Sequence, residues 1–529
     1  MNDKGMIMTK KKIESGRTYL GIELGSTRIK AVLLDDTYKT IATGGCSWEN
    51  RYDNGYWTYT MEDVEDGVQR CYAALVADVQ CRYGITLTTV GAMGVSGMMH
   101  GYLAFDKKGS LLTPFRTWRN ATTAEAAEKL TELFGFNSPQ RWSIAHLYQA
   151  MLNGEDHLAD ICRLSTLASH LHFILTGRHE AGLGEASGMF PVKDGDYNHA
   201  MLEKFDKLAE SYPWKICDIL PAVRNAGEKG AVLTADGARF LDPAGNLQPG
   251  VPVCPPEGDA GTGMVATNSV LPGTGNLSAG TSVFSMLVLD KPLKGVYPEI
   301  DICNTPDVAV VAMVHSNNGC SELDQWVQMF CEFATLTGRS MDISDVYSIL
   351  YNHAMTGDKD CAGVTAYNYL AAEPVAGVEK GYPLYFRTPD SKLNLANMML
   401  SQLYASLAPV RMGMDLLREN ENIRAAHIMA HGGLFKTKGV AQQILADAFG
   451  CPVSTVATAG EGGAWGMALL AAYMECGTPK TLGQWLADEV FAGADMLRLE
   501  SDSDGAAAYS AFMKRYKAGL AAYSGLKEV

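Results

Sequence analysis

Two glycine turns carrying small hydroxyls, Gly25-Ser26-Thr27 and Gly280-Thr281-Ser282, offer chemistry first in this chain of 529 residues. Backbone amides and short hydroxyls in such turns can cradle phosphate oxygens with no side chain in the way. Asp259 stands in a proline- and glycine-rich segment, residues 251–263, where a constrained carboxylate can act as a general base or merely form a turn. His100 lies in Met98-Met99-His100-Gly101, after an apolar run, where a strand end can face a ligand or hold a structural histidine. Glu23 closes the apolar run before the first turn. Trp118-Arg119-Asn120 sets an aromatic face beside polar groups, suited to a sugar and equally to anchoring a loop. Gly432-Gly433 and the run from Glu461 to Gly466 allow a flat ligand, or a packed helix, to come close.

The elements that must position these residues follow from the pattern. Gly21-Ile22-Glu23-Leu24 and Ile29 to Asp35 flank the first turn as short β-branched runs, a hairpin signal. Asn276 to Asp290 repeats the plan around the second turn, with Asp35 and Asp290 each ten residues beyond the glycine. A repeat at half the chain's length predicts related lobes, each presenting one hydroxyl-rich turn. Residues 40–43 read as a strand and 48–59 as a loop. Thr60 caps a helix whose stripe is Val64, Val68, Cys71, Leu75 and Val79, ended at Gly84. Residues 90–95 form a strand, completing a βαβ rhythm. A helix is predicted over 164–176, then a surface turn at Gly184-Glu185-Ala186-Ser187-Gly188. Helices follow at 320–336, at 393–417 interrupted or kinked at Pro409, and at 440–449, with strands at 428–431 and 452–456.

Composition narrows the classes. The length calls for more than one domain, and 47% hydrophobic with 19% charged residues describes an ordinary folded chain. A net charge of −15 argues against nucleic acid or an anionic membrane as partner. Twelve cysteines are scattered without CxxC or zinc spacing, as for free thiols in a reducing cytoplasm. Residues 1–17 form a polar tail with no apolar signal-peptide core, and no run is long enough to span a bilayer. There is no GxxxxGK[ST] loop and no GxSxG elbow. Gly261, Gly263 and Ala266 fit a dinucleotide pattern, but prolines break the strand it requires.

Taken in order, these motifs resemble the FGGY carbohydrate kinases, a branch of the actin-like, ribonuclease-H-like ATPases, across residues 19–475. The resemblance implies an α/β fold of two such lobes with an interlobe cleft. Residues 18–272 would form the sugar-binding lobe, 273–480 the adenosine-binding lobe, and 481–529 a helical extension. By the same resemblance Gly25, Ser26, Thr27, Gly280, Thr281 and Ser282 hold ATP phosphates, and Gly432, Gly433 and Glu461 the adenosine. Asp259 becomes the base for the sugar hydroxyl and a sugar contact, beside Met99, His100, Gly101, Trp118 and Asn120; Glu23 holds Mg²⁺. Met99-His100-Gly101 looks most like the xylulokinase subgroup. The chain departs from the family at Glu23 and Glu185, where aspartate is usual, at Trp118-Arg119-Asn120 in place of Trp-Asn-Asp, at Ser143 to Leu147, which lacks a lysine, and after Gly433.

The implied activity is ATP-dependent phosphorylation of a ketopentose primary hydroxyl, D-xylulose to D-xylulose 5-phosphate first. L-ribulose, another ketose or a polyol is the alternative substrate. An actin-like ATP-binding regulator without sugar turnover is the alternative of another class. A cytoplasmic location and a homodimer, common among similar proteins, complete the expectation.

Overall fold

The computed structural model describes residues 3–456, 462–494 and 496–526. It divides into two compact units. The first comprises Met1–Val270, Ile302–Val311 and Glu461–Ala492, and the second Leu271–Asp301, Ala312–Gly460 and Gly493–Val529. Chain order and spatial grouping therefore part company: two later segments return to the first unit.

The first unit is built on the predicted hairpin. Thr18–Leu24 pairs antiparallel with Arg28–Asp35 from Thr18↔Asp35 to Leu24↔Ile29. Thr40–Ser47, longer than its sequence signal, adds a third antiparallel strand. On the other side Ala92–Gly97 runs parallel to Thr18–Leu24, and Pro252–Val253 and Glu257–Gly258 run parallel to it in turn. The helix Met61–Tyr83 forms where expected. Thr60 and Asp63 cap it reciprocally, with Asp63 N–H donating to Thr60 Oγ1 at 3.1 Å, and Gly84 ends it in a left-handed conformation. Its predicted stripe is buried throughout.

Gly462–Cys476 supplies the other cover. It is apolar on nearly every side, as a helix must be when buried all round. A Cβ on Gly21 would lie 2.1 Å from Ala464 O, so glycine is what lets this helix reach the strand. Gly463 and Gly466 of this run pack closely as well: an added Cβ would lie 2.5 Å from Glu23 Oε1 and 2.0 Å from Thr262 O respectively.

The second unit repeats the plan. Thr274–Ala279 pairs antiparallel with Val283–Val288, and His427–Gly432 runs parallel on its other side. Val453–Val456 and Met496–Leu499 continue the sheet. The long helix Leu395–Asn420 continues past Pro409, so the proline does not interrupt it.

Other departures are local. The polar amino-terminal segment folds as a helix, Asp3–Glu14, with Ile13 buried. The stretch 48–59 contains a small antiparallel pair, Arg51–Asp53 with Tyr56–Thr58. The helix expected over 164–176 is a short strand, Arg163–Ser165, followed by the helix Leu167–Thr176. Gly184 to Gly188 is no surface turn: Leu183–Ser187 is a buried helical turn. Asp259 is the first residue of the helix Asp259–Ala266, not part of an irregular loop. All twelve cysteines are free, and no described helix is long and apolar enough to cross a membrane.

Candidate active site

In the first unit the motifs emerge side by side because their strands are in register. Leu24 pairs with Gly97, and Gly97 pairs on its other side with Gly258. The turn 25–27, the loop 98–101 and Asp259 therefore leave neighbouring parallel strands at the same, carboxyl, end. That end is where ligands bind in sheets of this type.

The turn is held from several directions. Gly25 N–H donates to Arg28 O at 3.1 Å, and Trp48 Nε1 donates to Gly25 O at 2.7 Å. The Tyr59 hydroxyl donates to Ser26 O, and Trp118 Nε1 donates to Ser26 Oγ at 3.1 Å. Trp118 thus reaches the phosphate-type turn. Asn120 takes the anchoring part: its Oδ1 accepts Trp57 N–H at 2.8 Å, and its Nδ2 donates to Trp57 O and Thr117 O, both at 2.9 Å. Arg119 stacks on the Trp57 ring, 3.9 Å from its centroid.

The loop 98–101 is tightly wound. His100 has φ +71° and Gly101 φ +98°. A Cβ on Gly101 would sit 2.7 Å from Phe115 Cε2, so only glycine fits. The buried His100 ring accepts from Arg141 Nε at Nε2, 3.2 Å, which places its proton on Nδ1 facing Gly188 O at 3.0 Å. Both ring nitrogens therefore orient the loop.

Carboxylates gather behind it. Asp259 Oδ1 accepts the Met99 N–H at 3.1 Å. Burial raises the Asp259 carboxyl above its ordinary range, against the pull of the Met99 and Ala260 amides. Glu23 is pushed up to about 7, mainly by burial; Lys30 opposes this and the Asp259 charge adds to it. Lys30 is its cross-strand partner. The helix Gly462–Cys476 closes over this point: a Cβ on Gly463 would lie 2.5 Å from Glu23 Oε1 and 2.7 Å from Thr262 Oγ1. Thr262 in turn exchanges a hydrogen bond with Ser96 at 3.1 Å.

Two further acids were not singled out as site residues. Glu257 is pushed up to about 7 by burial, eased by the amides of Gly258, Glu185 and Gly184. Glu185 is fully buried and raised well above the carboxylate range, again chiefly by burial. A Cβ on Gly258 would lie 2.8 Å from Glu185 Oε2. The proximity of Glu257 to Asp259 in the chain, and the place of Glu185 where the family has aspartate, were the available signals.

In the second unit Ala279 pairs with Gly432, which brings the turn 280–282 beside Gly432-Gly433. Gly280 N–H donates to Ser282 O at 2.9 Å, and the amides of Gly319 and Cys320 hold the Thr281 and Gly280 carbonyls. Gly432 has φ +104°, and a Cβ there would meet Ala279 O at 2.3 Å. Gly433 is open: a Cβ would meet nothing within 4 Å. Glu461, the other adenosine candidate, lies outside the described residues.

Comparison with known proteins agrees with this geometry. Residues 18–266 match the N-terminal domain, and residues 275–475 the C-terminal domain, of the FGGY family of carbohydrate kinases. The chain belongs to that family. It has the two-domain, actin-like and ribonuclease-H-like fold of these proteins and is an ATP-dependent sugar kinase. A xylulose kinase of Haemophilus influenzae is 22% identical over 444 residues, spanning 80% of this chain and 85% of the relative. The ligand-bound xylulose kinase from Lactobacillus acidophilus superposes with a TM-score of 0.78 at 16% identity, over 96% of this chain and 100% of that one. A gluconate kinase from Lactobacillus acidophilus gives 0.77 at 16% identity, over 96% and 99%.

Proposed function

We propose that this kinase transfers the γ-phosphoryl group of ATP to a primary hydroxyl of a ketopentose, D-xylulose first, with Asp259 as the base. The observation that carries the reading is the Met99 N–H bond to Asp259 Oδ1 at 3.1 Å. It ties the loop Met99-His100-Gly101, our candidate sugar site, to the carboxylate that would receive the hydroxyl proton. The similarity to xylulose kinases supports the same sugar.

Phosphoryl transfer asks for positioning, charge neutralisation and an unmasked nucleophile. Asp259 accepts the hydroxyl proton as the oxygen attacks. Its raised affinity for protons, the result of burial, moves it toward the pKa that suits a base. Gly25, Ser26 and Thr27 offer amides and hydroxyls to phosphate oxygens in the first unit. Gly280, Thr281 and Ser282 do so in the second, where Gly432 and Gly433 give adenosine a surface without side chains. The sugar lies against Met99, His100 and Gly101 with Trp118 nearby, and Asn120 fixes the loop that carries Trp118.

Glu23 is the candidate Mg²⁺ ligand. A carboxylate that burial pushes up to about 7, with the Asp259 charge near it, is relieved by a divalent cation. Among the described residues no cluster of three or more His, Cys, Asp or Glu could hold a metal. The set fits Mg²⁺, which takes few protein carboxylates and completes its shell with water and phosphate oxygens. When bound, the ion neutralises charge on the phosphates.

The test is sugar-dependent ADP release with Mg·ATP, measured against ketopentoses, ketohexoses, polyols and D-gluconate, beside a control without sugar. A strong response to one ketopentose is expected. A response confined to gluconate or a polyol would replace the substrate. Silence throughout, with ATP binding intact, would favour an actin-like ATP-binding regulator.

A further inference from the structure

Glu185 is a buried group that the phosphotransfer scheme does not use. It is 0% exposed, and neither carboxylate oxygen has a hydrogen bond of proper geometry. Among the described residues no lysine or arginine forms an ion pair with it. The groups that face it are the carboxyls of Glu257 and Asp259, the phenol of Tyr197, the Thr166 hydroxyl and Gly258. An ionised carboxylate has no compensation there, and two neighbouring acids would repel it.

Its placement bears on the base. Glu185 Oε2 lies 2.8 Å from where a Cβ of Gly258 would stand, with Met99 Cγ 3.0 Å away on the same side. Gly258 is the cap residue directly before Asp259. Met99 is the residue whose amide holds Asp259 Oδ1. Glu185 therefore packs against Gly258, and the Met99 side chain converges on the same point of that backbone.

We infer that Glu185 is a positioning residue, held as the uncharged acid, that braces Gly258 and so aims Asp259 without adding negative charge beside it. A charged group of the same size would brace the same atoms but raise the base's affinity for its proton, keeping it protonated when it should be free. This inference rests on Asp259 being the base, so one arm of the test is independent of activity.

That arm is an infrared difference spectrum of wild type minus Glu185→Gln, taken well above pH 7. There Glu23 and Glu257, both pushed up only to about 7, are ionised. A carboxylic acid C=O stretch present in wild type and missing from the variant is expected; its absence from wild type overturns the uncharged state. The second arm is kinetic. Glu185→Ala is expected to lower kcat roughly tenfold to a hundredfold with sugar KM little changed, the cost of misaiming the base. Glu185→Gln, neutral and isosteric, is expected to restore most of that loss and to leave the acid limb of the pH profile in place. An acid limb displaced to lower pH in Glu185→Gln would mean that a charge had been removed, and would overturn the inference. If Glu185→Ala does not fold, the Gln variant alone carries both readouts. A kinase with no sugar response but a clear infrared band would refute the assigned reaction and leave the uncharged state standing.

Discussion

Met99 and Asp259 are joined backbone to side chain: the Met99 N–H donates to Asp259 Oδ1 at 3.1 Å. The two residues lie 160 positions apart. The pairings Leu24↔Gly97 and Gly97↔Gly258 bring their strands to one end of the sheet. A displacement of the loop 98–101 must therefore move the carboxylate. The positive φ angles of His100 and Gly101 show how far that loop is bent to make the contact.

Asp259→Asn keeps an oxygen to accept the Met99 N–H but cannot take a proton. Its kcat should fall about 10²–10⁴-fold while the protein folds and binds ATP and sugar as before. Burial makes the charged form costly here, so the variant should be no less stable than wild type. Retention of most kinase activity would end the assignment of Asp259 as base.

Glu23→Gln should remove one share of the pH dependence of stability in the metal-free protein. Burial lifts the folded carboxyl from 4.5 to about 7, so between those values the folded state holds more proton than the unfolded. Stability then falls as pH rises through that window and the loss is complete above about 7. Glutamine does not titrate. The variant should gain on wild type with rising pH, by about 1–3 kcal/mol after allowance for solvent near the carboxyl. Denaturant midpoints at several pH values check this; a gain that appears on acidification instead would refute it.

Gly463→Ala tests the close approach of the helix Gly462–Cys476. The added methyl would press to 2.5 Å from Glu23 Oε1 and 2.7 Å from Thr262 Oγ1, so one of them must move. Overpacking of this kind costs about 1–3 kcal/mol. A lower melting temperature together with a weakened Mg²⁺ dependence of activity is expected. An unchanged metal dependence would separate Gly463 from the Glu23 site.

The sequence made the hairpins, the capped helix after Thr60 and the strand into His100 legible because each carries a local signal: alternation, a cap, a glycine stop. Glu185 shows where such signals end. Its glycine-flanked acidic turn looks like surface, and residues distant in the chain, Gly258, Glu257 and Thr166 among them, surround it in the fold. Asn120 is similar. An amide beside a tryptophan suits a sugar, yet its partners include the Trp57 backbone, 63 residues away, and the Thr117 carbonyl. Gly463 and Gly466 read equally as ligand contacts or packing residues until Glu23 and Thr262 are placed against them.

Trp118→Phe removes the indole donor and keeps a smaller aromatic ring. Trp118 Nε1 gives its proton to Ser26 Oγ at 3.1 Å, which fixes the hydroxyl's rotamer in the turn assigned to phosphate. Without that bond Ser26 is free to turn away, and an ordinary hydrogen bond contributes about 0.5–1.5 kcal/mol. The KM for ATP should therefore rise roughly two- to tenfold, with the sugar KM moving less. Ser26→Ala should reproduce the effect, and combining the changes should add little, because both remove the same interaction. Full additivity in the double variant would show that the indole acts on the sugar and not through Ser26.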